Sequence, residues 1–246
     1  MGASERYVRA WEGFWAENTG EPGEAFWDAD ATLTAAPHTA LLAAHADRTL
    51  PIVDLGCGNG TQTRYLAGHF PRAVGVDLSA SAVAHARRAD RDAVAEFEQL
   101  DLTDLVAVRR LSERLGEVNV YLRAVLHQSD PGDRVPVATA VALLLGRRGR
   151  GLVVEPTAAA KAVLQEVAEQ PGGPPHRLRQ VRKHQLRPAE VAPGELPELL
   201  RGVALEILDQ GESDLAMSEH HPDGARVALP AQWFVVGAAA GRGSGG

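Results

Sequence analysis

The chain has 246 residues, a formal charge of −7 and an isoelectric point near 5.7. That length serves a single α/β domain with additions and buries a sizeable core, while the acidic balance excludes a general nucleic-acid binder, which carries a basic surplus. A single cysteine, Cys57, excludes a disulfide framework and a multi-cysteine metal centre.

The first 45 residues hold Tyr7, Trp11, Phe14, Trp15, Phe26 and Trp27, half of the aromatic residues in the chain. Trp11, Phe14 and Trp15 recur at i, i+3 and i+4, the apolar stripe of a helix. Two readings stand: a helix packed on a sheet edge, or a lid whose Trp15 and Trp27 line an acceptor pocket and exclude water. The expected organisation is an aromatic-rich helical cap over 1–45, a core domain over 46–238 and a flexible tail over 239–246. No apolar run reaches the roughly 18 residues a membrane span needs, and the N-terminus carries charges where a leader would be apolar. A cytoplasmic protein without membrane contact is expected.

From residue 50 the pattern alternates. Strands are predicted at 51–55, 73–77, 95–100, 118–122 and 151–155. Helices are predicted at 61–69, 79–89, 103–114, 134–146 and 157–169. Such alternation implies a mostly parallel sheet with helices on both faces. After Pro171-Gly172-Gly173-Pro174-Pro175 the regularity breaks. Two last strands, 203–208 and 232–237, are separated by Gly211 and Pro222-Asp223-Gly224 and predict an antiparallel hairpin at one sheet edge. The count is seven strands.

The run Asp54-Leu55-Gly56-Cys57-Gly58-Asn59-Gly60-Thr61 ends the first strand and opens a helix. Glycine allows a tight turn and a close backbone approach to a ligand at a helix N-terminus. The dinucleotide fingerprint would need glycine where Thr61 stands, and no Gly-Lys-Ser/Thr follows for a phosphate loop. Asp77 ends the second strand, where an acid can accept from ribose hydroxyls. With its unbroken acid-x-G-x-G-x-G motif the chain resembles the class I S-adenosylmethionine-dependent methyltransferases. The resemblance implies a Rossmann-like α/β fold with that cofactor and its product S-adenosylhomocysteine; no metal is expected, because the strand-four exit lacks the acidic pair plus Asn with which catechol-type members bind magnesium. It assigns Asp54, Gly56, Cys57, Gly58 and Gly60 to the cofactor loop, and Asp77 with Leu78 to the ribose. Asp101 with Leu102 falls to the adenine, with a helix N-cap, at Asp101 or Thr103, as the other reading. Arg123 is assigned to the cofactor or to a carboxylate.

The fourth strand runs on into Arg123-Ala124-Val125-Leu126-His127-Gln128-Ser129, which resembles the segment of caffeate-type small-molecule O-methyltransferases. In that family the histidine takes the acceptor proton and a glutamate assists, which implies catalytic roles for His127 and for Glu155, 28 residues on. A neutral imidazole suits a phenol of pKa near 10, and a carboxylate on its other nitrogen would set the tautomer. The chain departs from that pattern at Gln128-Ser129 and at Asn119, and Glu190 is only a regional match for a further glutamate.

The expected reaction is therefore methyl transfer to a small molecule, most favoured at a hydroxyl. His127, Trp15 and Trp27 face the substrate, and the protein is a monomer or homodimer. The alternatives are transfer to sulfur, nitrogen or halide by positioning alone, with His127 structural, and cofactor binding without transfer. The basic run His176, Arg177, Arg179, Arg182, Lys183, His184, Arg187 is either a solvated face or a site for an anionic acceptor. His220-His221 is placed where it could reach the pocket.

Overall fold

The computed structural model describes residues 3–186 and 191–239. A seven-stranded sheet has the order β3-β2-β1-β4-β5-β7-β6. The strands are β1 (Ile52–Leu55), β2 (Ala73–Asp77), β3 (Glu96–Gln99), β4 (Asn119–Arg123), β5 (Arg150–Pro156), β6 (Leu205–His220) and β7 (Arg226–Ala238). The first five pair in parallel, and β7 runs antiparallel to both β5 and β6. The predicted Rossmann-like α/β architecture with its edge hairpin is the one formed.

The helices are α1 (Glu5–Glu17), α2 (Ala35–Ala43), α3 (Thr61–Ala67), α4 (Ala80–Ala89), α5 (Leu105–Leu115), α6 (Arg134–Leu145), α7 (Ala160–Ala168), α8 (His176–Lys183) and α9 (Glu195–Gly202). Strands β1, β2 and β4 are buried almost throughout, as expected of parallel strands covered on both faces. Alternation then sends Val53, Leu55, Val120 and Leu122 into one core, and Ile52 and Tyr121 into the other. Because the order reverses between β1 and β4, a crevice opens at their carboxyl ends, where open α/β sheets bind ligands. The glycine loop lies there.

Local chemistry sets the helix ends. Ser79 caps α4 by accepting from Ala82 N, and Asp104 caps α5 by accepting from Val106 N and Ala107 N. The cap predicted at Asp101 or Thr103 is thus Asp104. Ser4 accepts from Tyr7 N at the start of α1, and Asn18 donates to Phe14 O at 2.6 Å at its end.

Two expectations need correction. Gly211 is no turn residue: it lies inside β6 opposite Trp233, and a Cβ there would stand 2.6 Å from the indole. A glycine beneath an aromatic cross-strand neighbour is a strand feature. The turn is made by Pro222–Gly224, closed by His221 N donating to Ala225 O at 2.7 Å. Both strands run far longer than 203–208 and 232–237: polar residues on the exposed edge hide the alternation of β6, and Pro230 interrupts the strand pattern of β7. The tail from 240 and two residues of interest, Arg187 and Glu190, lie outside the described residues.

Candidate active site

A cavity of about 890 Å³ lies over the carboxyl ends of the strands. Gly56 and Gly58 form its floor, both with positive φ (75° and 55°). A Cβ on Gly56 would stand 2.6 Å from Val125 Cγ2, and one on Gly58 2.8 Å from the Trp15 ring, so both positions exclude any larger residue. The loop residues separate by face. Gly60 (φ 75°) turns away toward the Phe97 ring, 2.6 Å from where its Cβ would lie, and Cys57 packs with Val83, Ala86 and Phe97. Neither lines the cavity.

Asp54 does not line the cavity either. Its carboxylate accepts from Thr63 Oγ1 at 2.6 Å, tying β1 to α3, and burial pushes its pKa up to about 6. Asp77 does line the cavity. Its two oxygens accept from Gly58 N and Ser79 N, each at 2.9 Å, and burial raises its pKa to about 6. Leu78, Leu102, Asp101 and Arg123 line the cavity too. Asp101 is already engaged: it accepts from Thr103 N and Oγ1 at 2.8 and 2.7 Å, and from Ala3 N at 2.8 Å. Arg123 donates to Trp27 O at 3.2 Å.

His127 and Glu155 come together. His127 Nδ1 lies 2.7 Å from Glu155 Oε2, and Glu155 is completely buried. Its Oε1 accepts from Val125 N and Leu126 N at 2.9 and 2.8 Å, and its Oε2 from His127 N at 3.2 Å. A carboxylate only accepts, so Nδ1 carries the proton and Nε2 the lone pair. Gln128 Nε2 donates to that lone pair at 3.2 Å, an interaction with no counterpart in the sequence reasoning. The loop after β4 is thus wound around the Glu155 side chain, and it presents an oriented imidazole to the cavity.

The N-terminal aromatics roof the site. Trp11, Trp15, Phe26 and Trp27 line the cavity, and Trp27 packs 5.0 Å from Phe14 and 5.4 Å from Trp11, centroid to centroid. The roof is fastened to the cavity's rim: Ser79 Oγ and Ser81 Oγ donate to Glu12, and Ser4 Oγ and Arg6 donate to Asp130. Asn59 Nδ2 donates to buried Asp28 at 2.6 Å, joining the roof to the glycine loop.

The remaining wall comes from α7, α8 and the hairpin, including Leu164, Leu178, Val181, Leu215, Met217 and Leu229. Which of these positions face the cavity and which face solvent is set by the packing of α7, α8 and the hairpin against one another. His220 and His221 do not reach the cavity; His221 Nδ1 meets Gln170 instead. Asn119 is structural, donating to Asp47 O and accepting from Arg150 N. Among the described residues no group of three or more metal-ligating side chains is gathered, and no helix is long and apolar enough to cross a membrane.

Residues 52–149 match the profile of a family described as a methyltransferase domain. Over almost the whole length of both chains, 97% of each, the fold superposes on a SAM-dependent methyltransferase from Anabaena variabilis ATCC 29413, with a TM-score of 0.87 and 28% identity. A structure described by the conversion of a disulfide bond into a thioacetal group during echinomycin biosynthesis shares the fold at 20% identity and a TM-score of 0.67, covering 94% of this chain and 93% of that one. A 78-residue stretch, 32% of this chain, is 37% identical to a dTDP-3-amino-3,6-dideoxy-alpha-D-glucopyranose N,N-dimethyltransferase from Streptomyces fradiae. The match spans 30% of that curated relative's length.

Proposed function

The chain belongs to the class I S-adenosylmethionine-dependent methyltransferases, and from that premise we propose that it methylates a hydroxyl of a small-molecule acceptor with His127 as the base. The observation that carries the reading is the 2.7 Å contact of His127 Nδ1 with buried Glu155 at the cavity wall.

The residues present suit the cofactor. Gly56 and Gly58 offer bare backbone where any Cβ would collide, and Asp77 offers an enclosed carboxylate beside them. Asp77 and Leu78 would hold the ribose, and Leu102 would pack on the adenine beside Asp101. When bound, S-adenosylmethionine supplies an electrophilic methyl group on a sulfonium.

The chain's own residues do the rest. His127 Nε2 accepts the hydroxyl proton once the acceptor displaces Gln128, and Glu155 stabilises the resulting imidazolium without taking the proton. General-base assistance of this kind contributes roughly 10² to 10⁴ in rate. Residues 1–45 act as a cap whose Trp15 and Trp27 exclude water and hold the acceptor in line.

The Streptomyces relative acts on an amine, which favours a second reading in which the base takes the proton of an ammonium group. The deciding experiment measures transfer from labelled cofactor to matched phenols, amines, thiols and halides, with wild type and His127→Ala. Phenol methylation that falls at least about a hundredfold in the variant supports the first reading. Turnover of an amine, thiol or halide that survives the substitution makes the histidine structural.

A further inference from the structure

The carboxylates lining the cavity, Asp77, Asp101 and Asp133, all come from the strand-end side, where the one cation, Arg123, is engaged by Trp27 O. From Pro156 onward the described residues of the wall include no acid, and their formal charges are Lys161 and Arg182. Everything between them is apolar or small, from Leu164 and Leu178 to Met217 and Leu229.

Both cations belong to cavity faces at helical spacing. Lys161 precedes Leu164 by three positions on α7, and Arg182 follows Leu178 and Val181 on α8 by four and one. Their neighbours are otherwise occupied. Arg177 pairs with Glu219 at 3.1 Å, Arg179 donates to Pro174 O at 2.6 Å, and Lys183 pairs with Glu17 at 2.5 Å. Lys183 is the only other lysine in the chain. The Lys161 and Arg182 side chains have neither an ion pair nor a hydrogen bond among the described residues, in a protein of net charge −7. Long basic side chains lay their stems on apolar surface and keep the charge at its edge. Here the edge is that of the cavity.

We infer that the acceptor carries a carboxylate on an apolar body, and that Lys161 and Arg182 are the specificity-determining residues that receive it. The inference rests on the acceptor chamber proposed above. Anchoring the anion on the α7–α8 wall leaves the hydroxyl end to approach His127, and it holds the carboxylate away from the methyl donor, so that an ether forms and not an ester.

The test is equilibrium binding of 3-(4-hydroxyphenyl)propionate, its methyl ester and the aryl phosphate analogue, with S-adenosylhomocysteine present. Quenching of the cavity tryptophans is the readout, in wild type, Lys161→Gln, Arg182→Gln and the double variant. Both side chains are exposed, so the variants keep the fold. The expected result is that the acid binds at least about tenfold tighter than the ester at low salt. The preference falls stepwise to parity in the double variant, and it weakens with ionic strength. Equal binding of acid and ester by wild type, or a preference unchanged in the double variant, overturns the inference. Tighter binding of the phosphate than of the carboxylate replaces the assigned anion. Absence of methyl transfer with the acid preference intact counts against the hydroxyl reading alone.

Discussion

Glu155 Oε2 stands 2.7 Å from His127 Nδ1, and the same carboxylate accepts from the backbone amides of Val125, Leu126 and His127. One buried side chain therefore both folds the loop and orients the imidazole. Substitutions at the two positions should differ in kind.

His127→Ala should lower kcat by about 10² to 10⁴ while cofactor affinity stays within a few-fold. Glu155→Gln should lower kcat and also destabilise the fold by about 1 to 3 kcal/mol, because an amide N–H2 then faces backbone donors. Steady-state kinetics and urea unfolding separate the two. A Glu155→Gln variant as stable and active as wild type would remove the dyad from the mechanism.

Asp77→Ala should weaken cofactor binding by about two to four orders of magnitude, from the loss of two charge-assisted hydrogen bonds worth about 1.5 to 3 kcal/mol each. Because burial holds the Asp77 pKa at about 6, affinity for the cationic cofactor should fall as pH drops below that value. Calorimetry in two buffers of different ionisation enthalpy should show proton release on binding near pH 6. No proton linkage there would dissociate Asp77 from the cofactor.

Asp54 and Asp77 both titrate near 6 in the folded chain, raised by burial, against about 3.9 when unfolded. Between those values the folded state binds more protons, so these groups stabilise the ligand-free protein as pH falls through 6 and lose that contribution as it rises. The thermal midpoint should be higher at pH 5 than at pH 7, and Asp54→Asn with Asp77→Asn should flatten the dependence. A midpoint that rises steadily from 5 to 7 in both proteins contradicts the prediction.

Gly60→Ala should reduce stability through the positive φ and the Phe97 collision, with cofactor affinity of the folded fraction nearly unchanged. Gly58→Ala should instead weaken cofactor binding, because its Cβ meets Trp15 at the cavity floor. Denaturant titration beside cofactor binding distinguishes the pair; identical profiles would erase the division of the loop into two faces.

Trp15 is buried over the glycine loop, and truncating it to alanine should cost about 3 to 5 kcal/mol of stability. The milder Glu12→Gln weakens the fastening to Ser79 and Ser81 and should speed cofactor release without unfolding the protein. Stopped-flow dissociation measures it, and an unchanged off-rate would deny the N-terminal segment its role as a cap.

While the roles of His127 and Glu155 are implied only by a family resemblance, the sequence by itself determined the alternation of buried strand and helix and the glycine loop with Asp77 beside it. Those features are written in local periodicity, in the backbone freedom of glycine and in residues at strand ends, all of which survive without knowledge of neighbours. Only the tertiary structure decided that Gly60, Cys57 and Asp54 turn away from the cavity while Gly56 and Gly58 face it. It also decided that Gly211 is a strand residue, and that Lys183 is paired while the Arg182 side chain has no partner among the described residues. Adjacent residues of like chemistry differ there only in which side of an element they occupy and what packs against it, and that is set by contacts between segments remote in the chain.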